Sequence, residues 1–224
     1  MKQKFLSFIL CISVILMCMT GSIGLPIYIR GFYYCQIDTY GLPQRTGYDK
    51  ETIIEAYDEV LDYLTIPGRE FGTGVFPYSE EGKSHFEDCK RLFDLNAWVF
   101  LVSAGVVLCL CILSKLRKIK TPRPFGRHFT LTCGASMLGV FGLIGGLAAL
   151  DFDRAFVIFH KLFFPGKDNW IFFSKKDGII RILPQEFFMS CGILIVGSIL
   201  LLSVGMILYG VLEKKKAVYT AKVS

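Results

Sequence analysis

The sequence has few of the residues and motifs by which common active sites are recognised. It holds three histidines in 224 residues, and it lacks a C-x-x-C pair, a G-x-S-x-G elbow, a P-loop and a dinucleotide-binding fingerprint. These absences argue against a zinc or redox site of the C-x-x-C type, a serine lipase and a nucleotide-binding protein. The hydrophobic residues, 53% of the chain, are pooled into long blocks. That pooling excludes a disordered chain and a secreted disulfide scaffold.

Charged residues are missing from four long apolar stretches. None of the stretches contains Asp, Glu, Lys or Arg, and they cover residues 5–29, 95–113, 129–150 and 187–212. A helix of about 20 residues crosses a hydrocarbon core of roughly 30 Å and satisfies its own backbone polar groups. The pattern therefore predicts four transmembrane helices. A cleaved signal peptide is the alternative for the first stretch, which exceeds the roughly 7–15 apolar residues typical of such peptides.

Basic residues concentrate in three short segments. The N-terminus, the 114–128 loop and the 213–224 tail hold 12 of the 25 Lys and Arg residues and one acidic residue. Residues 30–94 and 151–186 hold the other 13 basic residues and 18 acidic residues. By the positive-inside rule, both termini and the loop face the cytoplasm and the two long segments are extracytoplasmic. The net charge of +6 is then a topological signal and does not indicate nucleic-acid binding. Binding of anionic lipid headgroups is a secondary alternative.

The two long segments carry helical patterns of their own. Asp49 precedes apolar residues at helical spacing, which predicts a capped amphipathic helix that ends near Pro67. A second helix is expected to begin between residues 79 and 83 and to continue into the second apolar stretch. A third follows residue 151 and stops at Pro165-Gly166. The predicted fold class is an all-α integral membrane protein with four transmembrane helices and a helical extracytoplasmic cap built from the two segments.

Two of the three histidines fall just outside predicted membrane spans. His85 and His160 lie in the extracytoplasmic segments, and His128 lies at the cytoplasmic end of the third stretch. Two imidazoles with carboxylates at the outer interface suit acid–base chemistry on a lipid ester, although hydrogen-bonded structural histidines are the alternative. A metal site is a further alternative that lacks compact H-E-x-x-H spacing. Its candidate ligands are His85, Asp88, Asp151, Asp153 and His160.

The cysteines follow the same division of the chain. Six of the eight lie in the apolar stretches, where they are expected to be small packing residues. Cys35 and Cys89 both lie in the 30–94 segment. A disulfide between these two is left open.

Two motifs resemble those of a known bacterial membrane family. The first is the run His85-Phe86-Glu87-Asp88-Cys89-Lys90. The second runs from Asp151-Phe152-Asp153 to Phe159-His160 and continues through Phe163-Phe164, Trp170, Asp177 and Leu183-Pro184-Gln185-Glu186-Phe187-Phe188. Over nearly its whole length the chain resembles the lipoprotein intramolecular transacylases of low-GC Gram-positive bacteria. Phe86 and Cys89 depart from the pattern, in which Met and Val are expected.

The resemblance implies an acyltransferase of the bacterial cell membrane with its active site on the extracytoplasmic side. The sn-2 acyl chain of an S-diacylglyceryl-cysteine lipoprotein would move to the α-amine of the same cysteine, giving the lyso-form N-acyl S-monoacylglyceryl lipoprotein. Amine and ester belong to one substrate, so neither an acyl-enzyme nor a cofactor is expected. The implied partners are the diacylglyceryl lipoprotein and membrane lipids, and a monomer is expected.

The residues expected to carry this reaction follow from the motifs and from the chemistry. An α-ammonium has a pKa of roughly 7.7–8 and must lose a proton before it attacks an ester, a task that suits imidazole. His85 is predicted to be the principal acid/base, and His160 to orient it, to shuttle the second proton or to bond the oxyanion. The sequence leaves open which histidine has which role. The expected supporting residues are Asp88, Asp151 and Asp153, and the expected substrate-binding residues are Trp170 and Glu186.

Two rival functions stay open at this level. A membrane phospholipid acyl hydrolase would use the same pair of imidazoles and release free fatty acid. A non-enzymatic membrane sensor or assembly protein would use the acidic 30–94 segment to dock another protein.

Overall fold

A computed structural model describes the backbone of residues 2–116 and 127–223 and the side chains of residues 4–116 and 127–215. Within these ranges the chain forms helices, turns and loops and contains no strand. Four basic residues of the predicted 114–128 loop lie outside the described residues, namely Arg117, Lys118, Lys120 and Arg123. The same holds for the side chains of Lys2, Lys216 and Lys222.

Short connections join most of the helices. In chain order they are α1 Lys2–Tyr28, α2 Gly31–Ile37, α3 Leu42–Thr46, α4 Lys50–Thr65, α5 Glu80–Lys115, α6 Phe129–Leu150, α7 Phe152–Phe163 and α8 Gln185–Val223. A 3₁₀ turn at Gly178–Arg181 precedes α8. In the described part of the chain, α1, α5, α6 and α8 are long and apolar enough to cross a bilayer. The predicted fold class, an all-helical membrane protein with four such helices, is confirmed.

The described residues within 1–23, 97–147 and 194–224 form the first of two compact units. Its buried cluster contains Leu10, Val14, Leu110 and Cys133. Helices α6 and α8 approach closely at Gly134, where a β-carbon would lie 2.7 Å from the carbonyl oxygen of Ser203. This unit is therefore held by apolar packing between long helices and by a glycine at one close crossing.

Residues 24–96 and 148–193 form the second unit, which has an aromatic-rich core. The apolar face of α4 is buried, including Ile53 and Tyr57. Tyr33 stacks on Tyr57 with ring centroids 3.8 Å apart, and its hydroxyl donates a hydrogen bond to the Ile182 carbonyl at 2.8 Å. Burial of this phenol raises the pKa of Tyr33 well above its usual range. The hydrogen bond ties α2 to the segment that leads into α8.

Local predictions for the second unit are confirmed. Asp49 caps α4 by accepting a hydrogen bond from the Thr52 amide at 2.7 Å, and α4 ends before Pro67. Helix α5 begins within the expected window of residues 79–83. Cys35 and Cys89 are both free thiols, so the disulfide that the sequence left open is not formed.

Candidate active site

Helix α5 carries His85 in its second turn, and a buried carboxylate holds the start of that helix. The Ser79 hydroxyl accepts a hydrogen bond from the Gly82 amide at 3.0 Å. The Ser79 amide and hydroxyl donate to Oδ1 of Asp177 at 2.9 and 2.6 Å. Gly82 lies so close to this carboxylate that a β-carbon would overlap Oδ1. The first turn of α5, and with it His85, is therefore fixed by contacts with the segment that precedes the 3₁₀ turn.

The imidazole of His85 is buried, with 6% of the residue exposed. Its Nε2 lies 3.4 Å from the Sγ of Cys89, one helical turn further along α5. Its Nδ1 is buried and has no hydrogen-bond partner among the described residues. The rings of Phe164 and Phe172 meet the imidazole edge-on, with centroids 4.8 and 5.5 Å away. The ring thus lies in an apolar enclosure with one nitrogen unused.

Helix α7 carries His160 near its C-terminal end, and the start of α7 is capped by Asp151, which accepts a hydrogen bond from the Arg154 amide at 2.9 Å. Nδ1 of His160 lies 2.8 Å from the Phe156 carbonyl oxygen. A carbonyl only accepts, so Nδ1 carries the proton and Nε2 of the neutral ring has a free lone pair. Burial lowers the pKa of His160, and the hydrogen bond to Phe156 acts in the opposite direction. The net effect is a lowered pKa, which favours the neutral imidazole with Nε2 as its hydrogen-bond acceptor.

Aromatic rings pack against the imidazole of His160. Trp170 stacks on it with centroids 4.7 Å apart and an interplanar angle of 29°. The Phe156 ring is 4.2 Å away. Trp170 is itself held by a hydrogen bond from its indole Nε1 to the Lys167 carbonyl at 3.0 Å. The orientation of the imidazole is therefore set by stacking as well as by its hydrogen bond.

The structure brings the two predicted histidines together. Their ring centroids are 5.8 Å apart, and the ring planes are inclined by 32°. Phe164 packs against both rings, at 4.8 and 5.8 Å. Two neutral imidazoles at this distance can act on one substrate, because one can accept a proton while the other donates a hydrogen bond to developing charge.

The carboxylate of Asp88 contacts a lysine and an asparagine that the sequence analysis did not select. Both of its oxygens accept hydrogen bonds from Lys167 Nζ at 2.6 Å, and Oδ2 also accepts one from Asn169 Nδ2 at 3.1 Å. Both residues follow Gly166, whose φ of 73° marks a turn, and nothing in that position pointed to Asp88. Asp88 therefore anchors the segment after α7 to α5.

A cavity of about 760 Å³ lies in the second unit, near the starts of α7 and α8. Asp153 lines it and accepts a hydrogen bond from Gln185. Glu186 also lines it and lies 3.6 Å from the Arg45 guanidinium. Phe156 forms a wall that the cavity shares with the imidazole of His160. Asp153 and Glu186 thus belong to the polar part of a lining that also contains Arg45, Arg181 and Gln185.

The remaining sequence candidates lie elsewhere. His128 belongs to the first unit, where it contacts Thr130 and Tyr209. Among the described residues, no three His, Cys, Asp or Glu side chains are grouped as metal ligands. The set considered for a metal site is therefore not gathered at one point.

Comparisons with known proteins bear on the whole chain. A search of curated protein sequences finds no match. The fold matches the membrane-integral lipoprotein intramolecular transacylase Lit from Bacillus cereus with a TM-score of 0.85 and 26% identity, covering 97% of this chain and 98% of that one. Two structures of that protein, each with one histidine replaced, match with TM-scores of 0.77 and 0.76 at 24% identity. They cover 96% of this chain and 95% and 96% of their own.

A protein-family profile matches most of the sequence. It is described as lipoprotein intramolecular transacylase Lit, and it aligns with residues 8–188. The aligned region contains both histidines of the candidate site. The chain therefore belongs to the lipoprotein intramolecular transacylase family, whose members are membrane-integral acyltransferases that modify lipoproteins.

Proposed function

We propose that this protein moves the sn-2 acyl chain of an S-diacylglyceryl-cysteine lipoprotein onto the α-amine of the same cysteine. The free amine attacks the ester carbonyl, a carbon–nitrogen bond forms, and the bond from the carbonyl carbon to the glycerol oxygen breaks. The proton lost by the amine ends on that oxygen. The product is an N-acyl S-monoacylglyceryl lipoprotein, and neither water nor a second substrate is consumed. Conversion of an ester into an amide drives the step forward.

The observation that carries this proposal is the pairing of His85 with His160 in a chain of the transacylase family. Nucleophile and ester are parts of one substrate, so the protein has to bring them together without holding the acyl group covalently. Effective molarities of about 10⁵ M or more are reached when reacting groups are well oriented. The imidazoles would then supply proton transfer and stabilisation of the tetrahedral oxyanion. An acyl-enzyme and a cofactor are unnecessary for this route.

The other predicted site residues have supporting parts in this proposal. Asp151 caps α7, and Asp88 anchors the segment that carries Trp170, so both act on the imidazoles through the backbone. Trp170 orients His160 and forms part of the surface that the lipid meets. Asp153 and Glu186 line the cavity, where the glyceryl group and an acyl chain of the substrate would fit.

The proposed site faces the extracytoplasmic side of the bacterial cell membrane. This follows from the positive-inside rule, which assigns both termini and the 114–128 loop to the cytoplasm. Lipoproteins carry their acylated cysteine at the outer face, so substrate and site would then be on the same side. The protein is proposed to act as a monomer, since both imidazoles come from one chain.

Replacing either histidine tests the function. We expect His85→Ala and His160→Ala to reduce N-acylation at least about a hundredfold, because general acid–base groups contribute about 10²–10⁴-fold. The assay is mass spectrometry of a diacylglyceryl lipopeptide, read for the mass-neutral shift of one acyl chain to the N-terminus. His128→Ala is the matched control, since it removes an imidazole of the other unit.

Three results would count against the proposal. Full activity of both variants would remove the imidazoles from the mechanism. Release of free fatty acid, with formation of a lyso-lipopeptide whose N-terminal amine carries no acyl chain, would indicate a hydrolase. Loss of activity in His128→Ala to the same degree would indicate that histidine replacement acts through stability.

A further inference from the structure

The Cys89 thiol contacts Nε2 of His85, and this contact has no part in the proposed reaction. Sγ lies 3.4 Å from Nε2 of the imidazole, four residues back on α5, where helical side chains meet. Cys89 is a free thiol that packs against the core of the second unit. The family resemblance expects an apolar residue here. The thiol therefore adds a polar contact that an apolar side chain of similar size would not make.

The direction of this hydrogen bond follows from the two groups. A thiol is a weak donor and its sulfur a weak acceptor, whereas an unprotonated imidazole nitrogen is a good acceptor. The favoured arrangement is donation from Sγ–H to Nε2. A neutral imidazole that accepts at Nε2 carries its proton on Nδ1. In His85 that nitrogen is buried and has no partner among the described residues.

The other imidazole has its proton on the same atom but for a different reason. In His160, Nδ1–H donates to the Phe156 carbonyl, so Nε2 offers a lone pair. The two rings therefore present opposite chemistry: His160 offers an acceptor, and His85 offers a donor whose hydrogen bond is still to be made. A buried donor without a partner is costly, and a substrate oxygen would satisfy it.

We infer that Cys89 is a positioning residue that holds His85 as the Nδ1–H tautomer and so divides the work between the two histidines. The inference rests on the proposed function. The amine proton passes to Nε2 of His160 and from there to the departing glycerol oxygen. His85, which the sequence favours as the principal acid/base, instead keeps its proton and donates a hydrogen bond from Nδ1 to the oxyanion that forms on the ester carbonyl. Every proton is returned, and neither ring ends with a net charge.

The direct test is the tautomer of His85 in the wild-type protein. Histidine labelled with ¹⁵N distinguishes Nδ1–H from Nε2–H by chemical shift, and the His85 signals are assigned by their loss in His85→Gln. We expect Nδ1–H for His85 in detergent-solubilised protein. A predominant Nε2–H form of His85 would overturn the inference, and this measurement needs no folded variant beyond the one used for assignment.

Variants at position 89 test the consequence for rate. Cys89→Ser keeps a donor and is expected to keep the Nδ1–H tautomer and the wild-type kcat. Cys89→Val removes the donor and should shift the tautomer ratio and lower kcat by about three- to tenfold with KM unchanged, the range expected for one hydrogen bond. Cys35→Val, an exposed cysteine of the same unit, is the matched control with unchanged kcat.

Equal kcat values for Cys89→Ser and Cys89→Val would overturn the inference. So would a fall in kcat for Cys89→Val without a change of tautomer, since packing alone would then explain the loss. Failure of the proposed function would look different. His85→Ala and His160→Ala would then retain N-acylation, whichever tautomer His85 has in the wild-type protein.

Discussion

The imidazole of His160 depends on its neighbours for orientation and for protonation state. The Phe156 carbonyl accepts a hydrogen bond from Nδ1–H, and the Trp170 indole stacks on the ring at an interplanar angle of 29°. Neither contact involves a charged side chain. At the residue scale, therefore, the neutral form and the orientation of this imidazole are set by a hydrogen bond, stacking and burial rather than by a carboxylate partner.

Trp170→Leu tests the stacking contact. We expect kcat to fall about two- to tenfold, because an aromatic pair contributes roughly 0.5–1.5 kcal/mol beyond its buried area. Trp170→Phe, which keeps a ring, should retain more of the rate. The assay is the initial rate of N-acylation, and Trp98→Leu, which replaces an exposed indole on α5, is the control with unchanged rate. Equal rates for wild type and Trp170→Leu would contradict the proposed part of Trp170.

The lowered pKa of His160 predicts how stability depends on pH. In the unfolded chain a histidine has a pKa of about 6.5, and burial lowers the pKa of His160 in the folded protein. As the pH falls below about 6.5, the unfolded state takes up a proton that the folded state still excludes, so stability decreases toward the folded pKa. We expect the melting temperature in detergent to drop between pH 7.5 and 5.5, and to drop less in His160→Gln.

A direct titration provides the second measurement for the same group. The ¹⁵N signals of His160 should titrate with a midpoint below 6.5. A midpoint above 6.5, or an equal pH dependence of the melting temperature in wild type and His160→Gln, would contradict this prediction.

The start of α5 is the feature that matters most at the scale of elements. Asp177 accepts three hydrogen bonds, from the amide and hydroxyl of Ser79 and from the amide of Phe173, and only 3% of the residue is exposed. One carboxylate thus joins the helix that carries His85 to the segment before the 3₁₀ turn. A small shift of this helix start would therefore also move the imidazole of His85, which lies in the second turn of the same helix.

Asp177→Ala is expected to lower the free energy of unfolding by about 1–3 kcal/mol, because it leaves buried donors without an acceptor. The measurement is the melting temperature in detergent, with N-acylation measured below that temperature. Asp168→Ala, a carboxylate exposed to solvent in the same segment, is the control and should change neither. An unchanged melting temperature in Asp177→Ala would contradict the assigned anchoring.

The distribution of charge predicts the orientation of the whole molecule in the membrane. The basic segments are separated from the acidic ones by the four apolar helices, so the positive-inside rule has an unambiguous result. Cys35 lies in a segment assigned to the outside and is exposed. It is therefore a native probe of sidedness.

A membrane-impermeant maleimide should label Cys35 in intact protoplasts, and the label should be absent from Cys35→Ser. A cysteine placed in the tail by Thr220→Cys, in the Cys35→Ser background, should react after permeabilisation and not before. Labelling of the tail in intact protoplasts would reverse the assigned topology and put the site on the cytoplasmic side.

Helices and caps of this chain could be predicted because they depend on residues close in sequence. The cap of α4 at Asp49 and the continuous α5 both follow from local patterns, and the structure confirms them. The contacts of the carboxylates could not be predicted in this way. Asp153 and His160 are seven residues apart on α7, so helical spacing puts both on one face, yet the Asp153 carboxylate accepts a hydrogen bond from Gln185 at the start of α8. Helical spacing restricts a side chain to a face and leaves its partner undetermined.

Apolar run lengths and charge asymmetry were enough for the class of protein and for its expected orientation, because solvation by lipid and water acts on each segment separately. The motifs led to both histidines, and spacing along the chain held no sign that Lys167 and Asn169 would complete the surroundings of Asp88. The 5.8 Å between the imidazoles of His85 and His160 and the hydrogen bonds of Asp88 with Lys167 and Asn169 arise when distant segments pack together. Those features depend on distances of a few ångströms between residues far apart in sequence, and packing alone sets such distances.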